Sequence, residues 1–457
     1  MKKKIVSALL CATMLTGMLA GCGKTDTNDT QQAAATGDAE NVSTSDDGKV
    51  LNIYCWNEEF KSRLTAHYPD YKEVDATHGK IGEVEVVWNI TPSDDNAYQN
   101  NLDTTLLNQD DAPADDKIDL FLVEADNALK YVDTDYTMPV KDLGITDEDL
   151  SKQYQYTKDI VTDSNGTLKG VSWQGCPGVL FYNREAAKEV LGTDDPDEVQ
   201  NYVNDWDTFG ETAKKMKDAG YKMTSSANDT YRVYSNNVTT KWVTDGKVSV
   251  DDNIMKWVDD SKKLVDAGET GTFDMWSDDW SKGFYPAGKV FCYFGPAWLV
   301  NFSMAADTEG SIGYEGGWGA AQGPQGFFWG GTWICAAKGT DNAGLIKDIM
   351  LKMTTDDATM KEIVVDDDDF VNNKDVMSEM AADTSYSSKI LGGQNPLGMY
   401  CAGVESLDLS NLCSYDQGCN EEFQKAMKNY FEGKATKEEA LDLFYKGVEE
   451  KYPELSH

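Results

Sequence analysis

From Val50 onward the apolar positions of this chain switch repeatedly between a period of two and a period near four. Leu51-Asn52-Ile53-Tyr54-Cys55-Trp56 alternates as a half-buried strand does. Val84–Trp88 and Ile118–Val123 are apolar, β-branched runs of strand length. Between them Tyr98, Leu102 and Leu106 recur every four residues, which predicts a helix with one buried face. Strand, helix and strand in that order, with the strands apolar on both faces, predict an α/β fold built on a mostly parallel, covered sheet.

A second region of the same kind opens near Gly178. Gly178–Tyr182, Lys289–Phe294 and Thr332–Ala337 read as strands. Trp206, Phe209, Ala213 and Met216 form one helical stripe, and Ile254, Trp257, Val258, Ser261 and Val265 form another. The chain closes with two helices. One carries Phe423, Met427, Tyr430 and Phe431; the other starts at the capping box Thr436-x-x-Glu439 and carries Ala440, Phe444 and Val448. All these stripes are assigned to the core. Trp276 and Trp280, four residues apart, are read the same way, as one face of a helix. The Gly-rich piece from Gly310 to Gly331 reads as a loop or crossover, and no internal repeat is visible.

The N-terminal stretch has a different grammar. Lys2, Lys3 and Lys4 precede an apolar run from Ile5 to Ala20 that ends in Leu19-Ala20-Gly21-Cys22. The run is too short and too interrupted to span a bilayer, so residues 1–21 read as a signal peptide. The closing tetrad resembles the bacterial lipobox, which implies lipidation of Cys22; the plainer reading is ordinary secretory cleavage. Residues 23–48 lack aromatics, Leu, Ile and Met, and so have little apolar surface to offset their ordering entropy. Residues 22–48 are therefore expected to be a lipidated cysteine followed by a flexible tether.

Composition narrows the function. The 41 Lys and Arg against 79 Asp and Glu give a formal net charge of -38, with acids spread along the whole chain. That argues against a nucleic-acid partner, whose binding requires a basic footprint. It also disfavours anionic ligands unless a local basic pocket overrides the average. Beyond Cys11 and Cys22, seven cysteines remain, an odd number without a C-x-x-C pair, so most read as buried small hydrophobes. Cys413 and Cys419 are close enough in sequence to close a small loop. The three His (His67, His78, His457) leave little for zinc or Ser/His/Asp chemistry, and no H-E-x-x-H, G-x-S-x-G or P-loop pattern occurs. No catalytic residue, cofactor or metal is assigned. The acid run Asp366–Asp369 has the wrong spacing for calcium and reads as a solvated loop.

Several blocks, in order, resemble the solute-binding proteins of carbohydrate ABC importers, the broad family that includes maltose-binding protein. They are Leu51–Glu58, Lys117–Leu122, Gly166–Val171 leading to Leu180–Arg184, Asp205–Phe209, Ala287–Val290 with Gly295–Trp298, and the final helix pair. Two departures, Ile118-Asp119 for Pro-Asp and Val290-Phe291 for Ala-Ala, leave the ligand open. The resemblance implies two α/β lobes joined by hinge strands with an inter-lobe cleft. It places lobe 1 at residues 49–175 and 331–365, and lobe 2 at residues 176–330 and 366–457. The implied activity is capture of a neutral oligosaccharide on the extracytoplasmic face of the membrane, for delivery to ABC permease subunits by a lipid-anchored monomer. A binder of another solute, such as a peptide, and a glycoside-active enzyme are the alternatives.

A neutral sugar offers apolar C–H faces and a rim of hydroxyls, so its site needs aromatic rings beside carboxylates and amides. Twelve Trp and twenty-two Tyr are available. By resemblance, the loop Trp56-Asn57-Glu58-Glu59 lines the cleft, or Trp56 packs as a half-buried core residue. Glu124 and Asp126 follow the third strand, where the family places a carboxylate on the sugar; Asp126 reads equally as a helix cap. Trp173 and Gln174 lie at the first crossing. Asp229, Tyr231 and Arg232 match a ligand loop. Trp298 occupies the Gly-x-x-Trp position that carries a stacking aromatic in much of the family. Trp329 and Trp333 flank Gly330 and Gly331 at the second crossing, with one of the pair expected to pack inward. Tyr415, Asp416 and Gln417 precede the C-terminal helix, where the family often supplies another aromatic.

Overall fold

The computed structural model describes residues 47–405 and 407–457; the stretch expected to be a signal peptide, Cys22 and most of the expected tether lie outside them. Twelve strands are formed by the described residues: β1 (Val50–Cys55), β2 (Tyr71–Glu73), β3 (His78–Ile81), β4 (Val84–Ile90), β5 (Leu120–Glu124), β6 (Pro177–Asn183), β7 (Val243–Thr244), β8 (Lys247–Val248), β9 (Cys292–Gly295), β10 (Trp318–Ala321), β11 (Phe327–Phe328) and β12 (Thr332–Ala336). The fold is α/β, built on two main sheets with a small two-stranded ribbon beside them.

One sheet has six strands in the order β12-β5-β1-β4-β3-β2. Its centre is parallel, with Ile53 opposite both Trp88 of β4 and Leu120 of β5. Its flanks are antiparallel, so the expectation of a mostly parallel sheet holds only for the middle. The reason is local. Gly82-Glu83 makes a two-residue hairpin between β3 and β4, with Gly82 at φ +59°, and a hairpin this short reverses the chain. β12 enters from the other half of the molecule and pairs antiparallel with β5, Trp333 opposite Val123. Asp119 fastens this edge: it accepts from Asn52 N at 2.8 Å and Thr340 Oγ1 at 2.6 Å, and burial pushes its carboxyl up to about 6.

The second sheet is organised around β6, which is buried along its whole length. β9, β10 and β11 all pair antiparallel with it. The Gly-rich stretch read as a loop therefore contains two short strands. β11 belongs to the second sheet and β12 to the first, so the chain passes between sheets at Trp329-Gly330-Gly331. Gly330 and Gly331 take φ +68° and +96°, steps that a side-chain-bearing residue adopts only with strain.

The helical stripes bury as read. Phe209, Ala213 and Met216 are buried, while Trp206 is half-buried and stacks on Tyr234 at 4.2 Å. Trp257, Phe423, Met427, Phe431, Phe444 and Val448 form a separate core with Tyr231 and Trp242. The capping box at Thr436 and Glu439 is formed, as is a second at Asp205 and Thr208. Among the described residues no helix is long and apolar enough to cross a membrane.

Two expectations are corrected. The run Asp366–Asp369 is not a solvated loop, since only Asp366 is exposed. Asp367 takes the Arg63 guanidinium at 2.7 Å and lies 2.8 Å from His67 Nε2; Asp368 accepts from Tyr386 and Ser388; Asp369 is buried beside Gln174. Packing against the helix Glu59–His67 supplies partners that the linear sequence hides. Cys413 and Cys419 are not bridged: Cys413 Sγ lies 3.0 Å from Asp416 Oδ1, and the seven described cysteines are free.

Candidate ligand cleft

Because β4, β1 and β5 run parallel, the loops that leave their C-terminal ends open on one edge of the sheet, where α/β folds place ligands. Trp56 and Asn57 follow β1; Glu124 closes β5, with Asp126 and Asn127 just beyond; Gln99 comes from the helix Ala97–Leu107. Facing them across a cleft of about 810 Å³ are Asp229, Arg232, Trp276, Trp298, Phe302 and Trp329. The floor is the crossing itself: Glu59, Gln174, Gly330, Gly331 and Thr332. The helix Asp416–Phe431 closes one side with Gln417, Asn420, Glu421, Gln424, Lys425 and Lys428. The volume lies within the range that holds a ligand of several rings.

The aromatic wall is one cluster. Trp298 and Trp329 meet edge to face at 5.1 Å, and Trp276 lies 6.3 Å from Trp298 and 5.8 Å from Trp329. Trp298 Nε1 donates to Trp329 O at 3.3 Å, which fixes its ring. On the opposite wall Trp56 leans on Tyr98 at 5.7 Å.

Charge is concentrated beside the rings. Arg232 spans the cleft and donates from both terminal nitrogens to the Asp126 carboxylate, at 3.0 Å to Oδ1 and more closely to Oδ2. Glu124 sits beside this pair. Burial, reinforced by the Asp126 charge, holds its carboxyl well above the usual range. Asn127 Oδ1 and Gln99 Oε1, which line the same cleft, are buried without a partner. Orphan acceptors lining one cavity are what a donor-rich ligand would satisfy.

Glu59, at the floor, accepts from Gln174 Nε2 at 2.7 Å, and burial pushes it up to about 7. Unfolded glutamate titrates near 4.3, so between about pH 4.5 and 7 the native state holds the extra proton and stability falls as pH rises. At about 1.4 kcal/mol per pH unit the upper bound is roughly 4 kcal/mol. Glu59→Gln should flatten the decline in unfolding free energy between pH 5 and 7, measured by urea denaturation. Asp119, Asp229 and Asp416 are raised in the same sense and leave a residual slope. A variant slope equal to that of the parent would show that Glu59 stays ionised.

Of the residues named from sequence, the structure brings Trp56, Asn57, Glu59, Glu124, Asp126, Gln174, Asp229, Arg232, Trp298, Trp329 and Gln417 to this cleft. Asp229 lines it with its carboxylate already engaged, by Trp280 Nε1 at 2.7 Å and Ser226 N at 2.7 Å. Six others lie elsewhere. Trp173 is fully buried, stacked on Phe60 at 5.4 Å, because the strand-like crossing turns it into the core. Trp333 is buried and donates to Thr157 O, one residue out of phase with Thr332. Tyr231 is buried against Trp257, on the opposite face of its helical turn from Arg232. Glu58 is exposed, and its neighbour Glu59 takes the floor position. Tyr415 packs on Tyr452 at 5.0 Å. Asp416 accepts from Cys413 N and lines a side chamber of about 60 Å³ that shares Asp126 and Arg232 with the cleft.

Residues not foreseen are Gln99, Asn127, Trp276 and, beyond Gln417, the polar face of the helix Asp416–Phe431. That face was visible as a stripe at helical spacing, but a solvated surface has the same pattern. Trp276 is a correction. It does not share a helical face with Trp280, since the helix begins at Asp278 and Trp276 stands at φ +70°; Trp280 is buried and Trp276 is 55% exposed.

A family model described as bacterial extracellular solute-binding protein matches residues 71–386. Among curated proteins none matches the sequence. The fold is similar to a crystal structure of an extracellular solute-binding protein of family 1, with TM-score 0.70 and 18% identity over 88% of this chain and 99% of that one. It is also similar to the ABC transporter associated binding protein from B. animalis subsp. lactis in complex with beta-1,6-galactobiose, with TM-score 0.67 and 17% identity over 89% and 99%. A third similar structure is an ABC substrate-binding protein from Listeria monocytogenes in complex with cycloalternan, with TM-score 0.61 and 14% identity over 89% and 100%.

Proposed function

Because the chain belongs to the bacterial extracellular solute-binding proteins, we propose that its cleft captures a neutral oligosaccharide and presents it to the permease of an ABC importer. The observation that carries this reading is the pairing of a three-indole wall with unsatisfied acceptors in one cavity. Indole faces suit the C–H faces of a pyranose, and Glu124, Asn127 and Gln99 suit its hydroxyls. Similar folds carry beta-1,6-galactobiose and cycloalternan, which agrees with this assignment. The role is binding, not catalysis.

In this reading residues 49–175 with 331–365 form one lobe, and residues 176–330 with 366–457 the other. Ligand bridging the two favours the closed arrangement, and the closed arrangement is what a permease recognises. The chain works as a monomer on the extracytoplasmic face, held by lipid on Cys22. Detergent-phase partitioning of the full chain expressed in a bacterium tests the anchor: Cys22→Ala should move it to the aqueous phase, and unchanged partitioning would remove the anchor from the account.

A thermal-shift panel of oligosaccharides, peptides and polyols tests the ligand class. A ligand at about 100 times its Kd should add roughly 2.7 kcal/mol of stability. A shift with peptides alone, or release of product from the glycans, would replace the reading with one of its rivals.

A further inference from the structure

Trp276 holds a backbone conformation, φ +70°, that is strained for a bulky residue. Its surroundings hold it there. Its ring meets Trp280 edge-on at 5.1 Å and lies nearly parallel to Trp298, with 25° between the planes. More than half of its surface is nevertheless open to solvent, in the cleft. Trp298 is backed by the chain crossing: a Cβ on Gly330 would come within 3.2 Å of its ring and 3.6 Å of Glu124 Oε1. The indole and the Glu124 carboxyl thus flank the same glycine. Asn127, 5% exposed and with an orphan Oδ1, follows Glu124 on the facing wall, and Gln99 presents a second orphan acceptor there.

We infer that Trp276 and Trp298 grip the two faces of one pyranose ring while Glu124, Asn127 and Gln99 accept hydrogen bonds from its hydroxyls at the rim, so that the cleft selects β-linked rings whose hydroxyls are all equatorial. The inference rests on the oligosaccharide reading above and goes beyond it to stereochemistry. In gluco- and xylo-configured β-pyranoses every axial position is C–H, so both faces are apolar and the hydroxyls radiate in the ring plane. A galacto ring turns O4, and a manno ring O2, toward one face. Between two indoles that hydroxyl loses water and gains no partner. Trp276 leans on Trp298, so entry of the ring requires the exposed Trp276 to draw back by one ring thickness.

Isothermal titration with matched β-linked gluco-, xylo-, galacto- and manno-oligosaccharides tests this on the full extracytoplasmic chain. The gluco and xylo ligands should bind at least about tenfold more tightly than the other two. Trp276→Ala should lose about tenfold for the gluco ligand and bring the four to within roughly threefold of one another. Trp276→Gly, which accepts the positive φ, should behave the same with an unchanged circular dichroism spectrum, which separates lost grip from lost folding. Galacto or manno ligands binding as tightly as gluco, or variants that keep the parent selectivity, would overturn the inference and leave the oligosaccharide reading standing. Absence of binding by all four, with a peptide or polyol stabilising the protein, would overturn both.

Discussion

Trp298→Ala is expected to weaken ligand binding by roughly 30- to 1000-fold, the about 2–4 kcal/mol typical of a central aromatic anchor. The cost to folding should be smaller, about 1–2 kcal/mol, because Trp298 is half-buried and a fully buried tryptophan costs roughly 3–5 when truncated. Its position sets this split. One edge is pinned by the bond to Trp329 O and backed by Gly330, and the remainder lines the cleft. Trp173→Ala should give the reverse pattern. That ring is stacked on Phe60 with no exposure, so its loss should lower stability by about 3–5 kcal/mol. Titration calorimetry paired with urea denaturation reads both quantities. If Trp298→Ala melted the protein while leaving the affinity of the folded fraction unchanged, Trp298 would be a core residue and the cleft would lose its central platform.

Breaking the Asp126–Arg232 pair should produce the next largest effect, and an unequal one. The two side chains are only 17% and 19% exposed, so removing either partner strands a charge that has lost most of its water. Such losses cost about 3–5 kcal/mol in buried pairs. Arg232→Ala should be the worse of the two. It leaves Asp126 and Glu124 facing each other without a cation, driving the Glu124 carboxyl further up. Asp126→Ala leaves Arg232 with Glu124 as a substitute partner and brings that carboxyl down, because the Asp126 charge is among the causes of its rise. The double variant should cost less than the sum of the singles by at least about 2 kcal/mol. Urea denaturation at pH 7 measures the cycle. Additive singles of equal size would mean that the pair is solvated and contributes little.

Both effects concern residues that the sequence allowed us to name, and the distinction between named and missed residues has a physical basis. Strands β1, β5 and β6, the helical stripes and the capping box at Thr436 were legible because period and end chemistry are local properties. Trp298, Glu124 and Arg232 were legible through resemblance, which fixes loops at the ends of known strands. That Trp333, and not Trp329, is the one that packs inward is not legible, since adjacent strand residues face opposite sides and nothing in Gly331-Thr332-Trp333 states the phase. Trp276 was read as core because a spacing of four fits a helix. The turn at φ +70° that ends this pattern is decided by packing against Trp298 and Trp329.

The sequence by itself determined the α/β class, the order of the elements, the acidic surface, and the presence of aromatic and carboxylate side chains on loops. These follow from residue type and spacing along the chain. Only the tertiary structure decided which of them share a cavity. Gln99 and Asn127 become orphan acceptors beside the Glu124 carboxyl because the edges of separate elements converge, and Asp367 ceases to be a loop acid because Arg63 and His67 come to meet it. Partnership across hundreds of residues depends on the free energy of the whole packed arrangement, which no local pattern carries.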